Sequence, residues 1–461
     1  MSNLIVRNIG LLVTMDDKRT EVEKVNMVIR DGLVEYIGQS IEDLSDKKSE
    51  TLDLGGYAVF PGLINTHHHL YQTLTRVVPG SQNSGLFKWL RTLYPIWAKM
   101  DGTAVYISAL VGMAELLLSG CTSSSDHLYM FPNGATLEDT IRAAKDIGIR
   151  FHPTRGSMSL GESDGGLPPD ELVEKETAIL NDCQRLIEAY HDPSIGSMLQ
   201  IGLAPCSPFS VSSKLMRETA DMARSYGVRL HTHLAETKDE EEYCLQKFGR
   251  RPLEYVMELG WNANDVWFAH MVHCCNEDVE ALAANKIAIA HCPTSNMRLA
   301  SGIAPIRRML RAGVKVGLGV DGSASNDGGH MLGEARQAML LARLHSAIED
   351  SEGRANETDE YFAARQALEL GTRGGSAALG RKDIGQLEVG KCGDFFAVRM
   401  DRLEYAGALH DPVAAIIMCA THNVDVVVVN GDIVVNEGKL LTIDLEPIVG
   451  RHNEISIGMV A

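Results

Sequence analysis

Residues 59–69 read VFPGLINTHHH, an apolar run interrupted by Pro-Gly and closing on three consecutive histidines. A short apolar run bounded by turn residues fits a buried strand. Alternate residues on a strand share a face, so His67 and His69 aim one way and His68 the other. Seven further segments repeat the form: CTSSSDH (121–127), IRFHPTRG (149–156), MLQIGLAP (198–205), VRLHTHLAE (228–236), VWFAHMVH (266–273), IAIAHCP (287–293) and VKVGLGVDG (314–322). Amphipathic segments such as TAVYISALVGMAELLLSG (103–120), which ends on a glycine, lie between them. Strands alternating with helices imply a parallel sheet, and eight such units over roughly 300 residues suit a (β/α)8 TIM barrel. A doubly wound sheet is the alternative, but no G-x-G-x-x-G follows the first strand.

Outside this region the pattern changes. LIVRNIGLLVTM (4–15), VNMVIRDGLVEYIG (25–38) and TLDLGGYAVF (51–60) alternate or run apolar around Asp-Gly and Gly-Gly turns. GQLEVGKCGDFFAVRM (385–400) and VDVVVVNGDIVVNEGKL (424–440) return to that style with an Asn-Gly turn. The expected fold is α/β: a barrel over 59–382 and a small β-sandwich domain formed by both chain ends, 1–58 and 383–461. A chain of 461 residues is long enough for this division.

Composition narrows the function. The net charge of −18, from 43 Lys+Arg against 61 Asp+Glu, would repel a nucleic-acid polymer, and no basic cluster offsets it. No apolar run is long enough to span a membrane, and the N-terminus lacks the form of a secretory signal. The nine cysteines are odd in number and form no C-x-x-C pair, which argues for reduced thiols in a cytoplasmic enzyme. The assembly state is left open, a homo-oligomer included.

The polar residues fall where a barrel places its chemistry. His67 and His69 close the first strand, His233 the fifth, His270 the sixth, His291 the seventh and Asp321 the eighth. All point to the C-terminal face of a barrel. His127, His152, His273, His330 and His410 are read as ordinary satisfied histidines. The second H-x-H, His231-Thr232-His233, does not say by spacing which member binds. Three imidazoles and a carboxylate suit Zn²⁺, with Fe²⁺ as the alternative, better than Ca²⁺ or Mg²⁺. One open position would hold water and lower its pKa to about 7.

PGLINTHHH (61–69), HTHLAE (231–236) and LGVDGSASN (318–326), in barrel order, resemble the signatures of the amidohydrolase superfamily. The resemblance implies that His67, His69, His233 and Asp321 ligate one divalent ion. It implies that His270 and Asp321 assist the attacking water and that Glu236 shuttles protons. Some members hold two metals through a fourth-strand lysine; MLQIGLAPCSPF (198–209) has none, so one ion is expected. Asn65 stands where many members have Asp.

Within the superfamily the chain is most similar to the aminated-heterocycle deaminases. Gln72 and Trp89, in LFKWL, resemble substrate-binding positions of guanine deaminases, whereas Cys206-Ser207-Pro208-Phe209 replaces their Arg-Phe. HHHLYQTLTR (67–76), RGSMSLGESDGGLPP (155–169), LAPCSPFSVS (203–212), HLAETKDEEEYCLQ (233–246) and VDGSASND (320–327) together resemble 8-oxoguanine deaminases. The implied reaction is attack of a metal-bound hydroxide on a small amino-substituted oxo-heterocycle, 8-oxoguanine giving urate and ammonia. Alternatives are an s-triazine N-alkylaminohydrolase of the hydroxyatrazine type and a deaminase of isoxanthopterin or isocytosine. Arg155 and Cys206, at the ends of strands three and four, are expected to face the substrate. Residues 161–169 are read as either a lid or a solvated loop.

Overall fold

The computed structural model describes residues 3–41, 49–351, 361–419 and 422–461. Eight parallel strands close into a barrel: β1 (Leu63–Asn65), β2 (Cys121–Leu128), β3 (Arg150–Ser157), β4 (Gly202–Pro205), β5 (Arg229–Leu234), β6 (Val266–His270), β7 (Ala288–His291) and β8 (Lys315–Leu318). Each matches one segment read from the sequence. Closure rests on a short pairing of β8 with β1, Leu318 opposite Asn65, extended by Thr66 N–H donating to the Leu318 carbonyl at 2.8 Å.

The helices between strands follow the local chemistry. Gly102–Leu118 starts where the Asp101 side chain accepts from Ala104 N–H at 2.8 Å, capping an otherwise orphan donor. It stops before Gly120, whose φ of +89° is costly for any residue with a Cβ.

Both chain ends meet in one nine-stranded sheet. Its middle is Tyr57–Pro61, parallel to Asn3–Val13 on one side and antiparallel to Phe395–Arg399 on the other. Gly62 alone separates that strand from β1. The last part of the range expected to be β is instead a helix, Leu445–Val460, begun by Asp444 accepting from Glu446 N–H at 3.2 Å. It lies against the barrel: His452 Nε2 meets Thr73 Oγ1 at 2.9 Å, and Ser456 Oγ donates to the Leu74 carbonyl at 2.7 Å.

A buried ion pair ties the two parts. Arg150, the first residue of β3, donates to both oxygens of Asp394 at 2.8 and 3.0 Å and to the carbonyls of Gly196 and Ser197. Asp394 also accepts from Asn430 N–H in the end sheet at 2.8 Å. No helix among the described residues is long and apolar enough to cross a membrane.

Candidate active site

The strand ends at the C-terminal face of the barrel bring six of the expected residues together: His67, His69, His233, Glu236, His270 and Asp321. His69 Nε2 lies 3.0 Å from His233 Nε2 and 3.4 Å from Asp321 Oδ1, which is also 3.4 Å from His67 Nε2. His270 Nε2 stands 3.6 Å from Glu236 Oε2 and 3.9 Å from Asp321 Oδ2.

Hydrogen bonding fixes which nitrogen of each ring is bare. His69 Nδ1 donates to the His127 carbonyl at 2.8 Å, and His233 Nδ1 donates to the Cys206 carbonyl at 2.7 Å. His231 Nδ1 donates to the Trp267 carbonyl at 2.9 Å, so its Nε2 accepts the proton of His67 Nδ1 at 2.8 Å. Three Nε2 lone pairs and a carboxylate oxygen therefore converge with no proton between them. Such a cluster repels itself unless a cation fills it, and neutral imidazole with carboxylate is the donor set of Zn²⁺ or Fe²⁺. Burial keeps the rings neutral, pulling His233 down to about 3 and His67 and His69 below the usual histidine range. The site is built for a metal.

The second H-x-H is thereby resolved: His233 points into the cluster, and His231 orients His67 from behind. His127 departs from its reading as a satisfied histidine. Its Nε2 donates to the Ala204 carbonyl at 2.9 Å, its Nδ1 has no hydrogen-bond partner, and it stacks on His233 with ring centroids 4.9 Å apart. Asn65 braces the cluster, donating to Ser124 Oγ at 3.1 Å and accepting from Val320 N–H at 2.9 Å.

The groups that could move protons are differently placed. Burial pushes the Glu236 carboxyl up to about 7, partly countered by His270, and its Oε1 has no hydrogen-bond partner. His270 is opposed by burial, but Glu236 and Asp321 outweigh that and hold its pKa above the usual value. Its Nδ1 donates to Asn296 Oδ1 at 3.0 Å, which aims Nε2 at the two carboxylates. Asp321 resists burial through His67, His270 and His69 and stays far below the usual carboxylate range. Ser295 Oγ and Gly322 N–H donate to it at 2.6 and 2.7 Å. His270 and Asp321 have φ of +75° and +62°, a conformation that costs non-glycine residues about 1–3 kcal/mol each.

Above the cluster opens a narrow cavity, lined by Gln72, Trp89, Cys206 and Glu236 among the expected residues. Gln72 Oε1 accepts from Ala324 N–H at 3.4 Å, and Trp89 Nε1 donates to the Ala324 carbonyl at 3.1 Å. Its further walls are Leu86, Leu90, Tyr94, Tyr129, Phe209 and Leu299, which the sequence reading did not single out. Arginine and lysine are absent from the lining.

Arg155 corrects an expectation. It does not line the cavity; its guanidinium is consumed by Glu174, Asp182 and the Gly156 carbonyl, with Phe131 beneath it. Its neighbour Thr154 turns to the Asp126 carbonyl instead. A strand-end position does not by itself say which way the side chain faces. His291 is buried and pulled down to about 3, and its Nδ1 is unpartnered. Residues 161–169 lie against the wall, Leu167 N–H donating to the Phe209 carbonyl at 3.2 Å, just after Leu160 N–H donates to the Ser210 carbonyl at 3.1 Å.

Residues 58–434 match the amidohydrolase family. The chain belongs to that family. It is 44% identical over 438 residues to 8-oxoguanine deaminase of Pseudomonas aeruginosa, covering 94% of this amidohydrolase and 95% of that protein. It is 35% identical over 457 residues to hydroxydechloroatrazine ethylaminohydrolase of Pseudomonas sp., covering 96% and 93%. Among solved structures, atrazine chlorohydrolase from Arthrobacter aurescens complexed with zinc superposes with a TM-score of 0.91 at 34% identity, covering 98% of this amidohydrolase and all of that chain.

Proposed function

We propose that this amidohydrolase hydrolytically deaminates an amino-substituted oxo-heterocycle, 8-oxoguanine giving urate and ammonia. The observation that carries the reaction type is geometric: the Glu236 carboxyl, buried and raised toward neutrality, stands 3.6 Å from His270 at the floor of a cavity walled by apolar and aromatic side chains. His67, His69, His233 and Asp321 would hold one ion, zinc or iron, which when bound would supply nucleophilic water at neutral pH.

Asp321 and His270 accept that water's proton and hold the nucleophile against the carbon bearing the amino group. Glu236 protonates the adjacent ring nitrogen, which relieves the charge developed on attack. The resulting carboxylate passes the remaining hydroxyl proton to the departing amine, and the proton taken up by Asp321 and His270 returns to Glu236, so water adds, ammonia leaves and each group regains its starting protonation. Gln72 and the Trp89 and Phe209 walls hold the flat ring.

The choice of heterocycle rests on the likeness to 8-oxoguanine deaminase and on the cavity's lack of a cation. Without an arginine near Cys206, guanine's carbonyl has no charged partner. The 8-oxo group places a proton on N7, so that edge offers a donor where guanine offers an acceptor. Unpaired buried polar groups can cost a wrong substrate about 10⁴-fold. A side-by-side ammonia-release assay with 8-oxoguanine, guanine, isoxanthopterin and hydroxyatrazine tests this. We expect kcat/KM for 8-oxoguanine to exceed that for guanine by orders of magnitude. Equal values would end the pocket argument. The second reading, an s-triazine N-alkylaminohydrolase, draws on the likeness to the ethylaminohydrolase; ethylamine release from hydroxyatrazine as the fastest reaction would favour it.

A further inference from the structure

At the opposite, N-terminal mouth of the barrel lies an open cleft of about 750 Å³. Arg229, the first residue of β5, and His152 of β3 line it. Arg229 and His233 bracket β5, roughly 13 Å apart at the usual rise of a strand, so this cleft is separate from the catalytic cavity.

The cleft is positively charged in a protein whose net charge is −18. Arg224 and Arg381 are neutralised by Asp265 at 3.1 Å and Asp383 at 2.6 Å, and Lys391 leans on Glu388 at 2.9 Å. Arg229 and Lys382 have no carboxylate within ion-pair distance among the described residues. Arg229 spends Nη1 and Nη2 on the carbonyls of Asn264 and Ala378, while its buried Nε has no partner. His152 is 4% exposed, and neither of its ring nitrogens has a hydrogen-bond partner. Burial of a guanidinium with no carboxylate in ion-pair contact is costly, and it pulls Arg229 down to about 10 against the opposing charge of Asp265. A buried imidazole left with both nitrogens unpaired adds a further cost. Neither cost serves the catalytic site.

We propose that this cleft is a second binding site, for an oxoanion of the phosphate class, either free or as the phosphate group of a metabolite. Arg229 and Lys382 supply the charge, and His152 supplies a hydrogen-bond donor at the floor. An oxoanion accepts several charge-assisted hydrogen bonds at once, which this set of donors matches.

The test is the melting temperature of the intact holoenzyme against inorganic phosphate, with chloride at matched ionic strength as control. A ligand that binds only the folded state raises stability with the logarithm of its concentration. We expect a saturable rise with phosphate and none with chloride. Lys382→Glu, at an exposed position, should weaken phosphate binding tenfold or more and leave kcat/KM unchanged; Arg229→Gln should do the same. A nucleoside 5′-monophosphate run in parallel tells the sources apart, the tighter of the two being the class the cleft serves. A shift matched by chloride, or one undiminished in Lys382→Glu, would overturn the site. So would competition between phosphate and substrate, which would put the anion in the catalytic cavity.

Discussion

His69 Nε2 and His233 Nε2 face each other at 3.0 Å, and both rings have already given their only proton to a backbone carbonyl. Two lone pairs at that separation need a cation between them. We expect elemental analysis to find about one zinc or iron per chain. Chelation should lower the melting temperature as well as abolish turnover, since a ligand at 100 times its Kd contributes about 2.7 kcal/mol. Two ions per chain, both required for activity, would contradict the mononuclear reading.

On the proposed mechanism Glu236→Gln removes a proton carrier while leaving the converging histidine nitrogens in place. Turnover should fall by about 10²- to 10⁴-fold with metal content and melting temperature near wild type. Wild-type kcat in this variant would remove Glu236 from the mechanism.

The raised carboxyl also sets a pH dependence. Glu236 must be protonated to donate, and burial places it at about 7, so kcat should decline as pH rises through that value. The linkage has the same sign. A carboxyl raised from an ordinary 4.5 takes up a proton on folding, so its contribution to stability is full below 4.5 and lost as pH climbs to about 7. Titrating wild type beside Glu236→Gln by denaturant melts isolates that slope, and parallel curves would refute it.

The Gln72 side chain, on the cavity wall, makes only long hydrogen bonds, at 3.4 Å from Ala324 N–H and 3.5 Å to Tyr71. Gln72→Leu should raise KM about 2- to 12-fold, the worth of one hydrogen bond, with little change in kcat. Steady-state kinetics with an unaffected KM would make the residue a mere wall.

Arg150→Met strands Asp394 in the seam between barrel and end sheet. Breaking one partner of a buried pair costs about 3–5 kcal/mol. A melting temperature within a degree of wild type would mean that the seam holds without it.

The barrel and the polar ends of its strands were legible because apolar runs closing on His, Glu or Asp recur in order. The roles of the two H-x-H histidines were not, since the choice is made by the carbonyls of Cys206 and Trp267, which no side-chain pattern reveals. Leu86, Leu90 and Tyr94 line the cavity from a helix whose apolar spacing reads as ordinary core. Arg155 misled because strand position fixes height along the barrel, not the direction of the side chain. The helix Leu445–Val460 was obscured by the β-rich stretch just before it.

The strand Tyr57–Pro61, joined to β1 through Gly62, has one neighbour made at the start of synthesis and another, Phe395–Arg399, made near its end. At about 5–20 residues per second, the ribosome emits that second neighbour tens of seconds after His67 and His69. The histidine pair is thus anchored on one side only while the chain is still growing. A chain cut short before residue 395 would carry these histidines with one side of the strand that leads into them left without its neighbour.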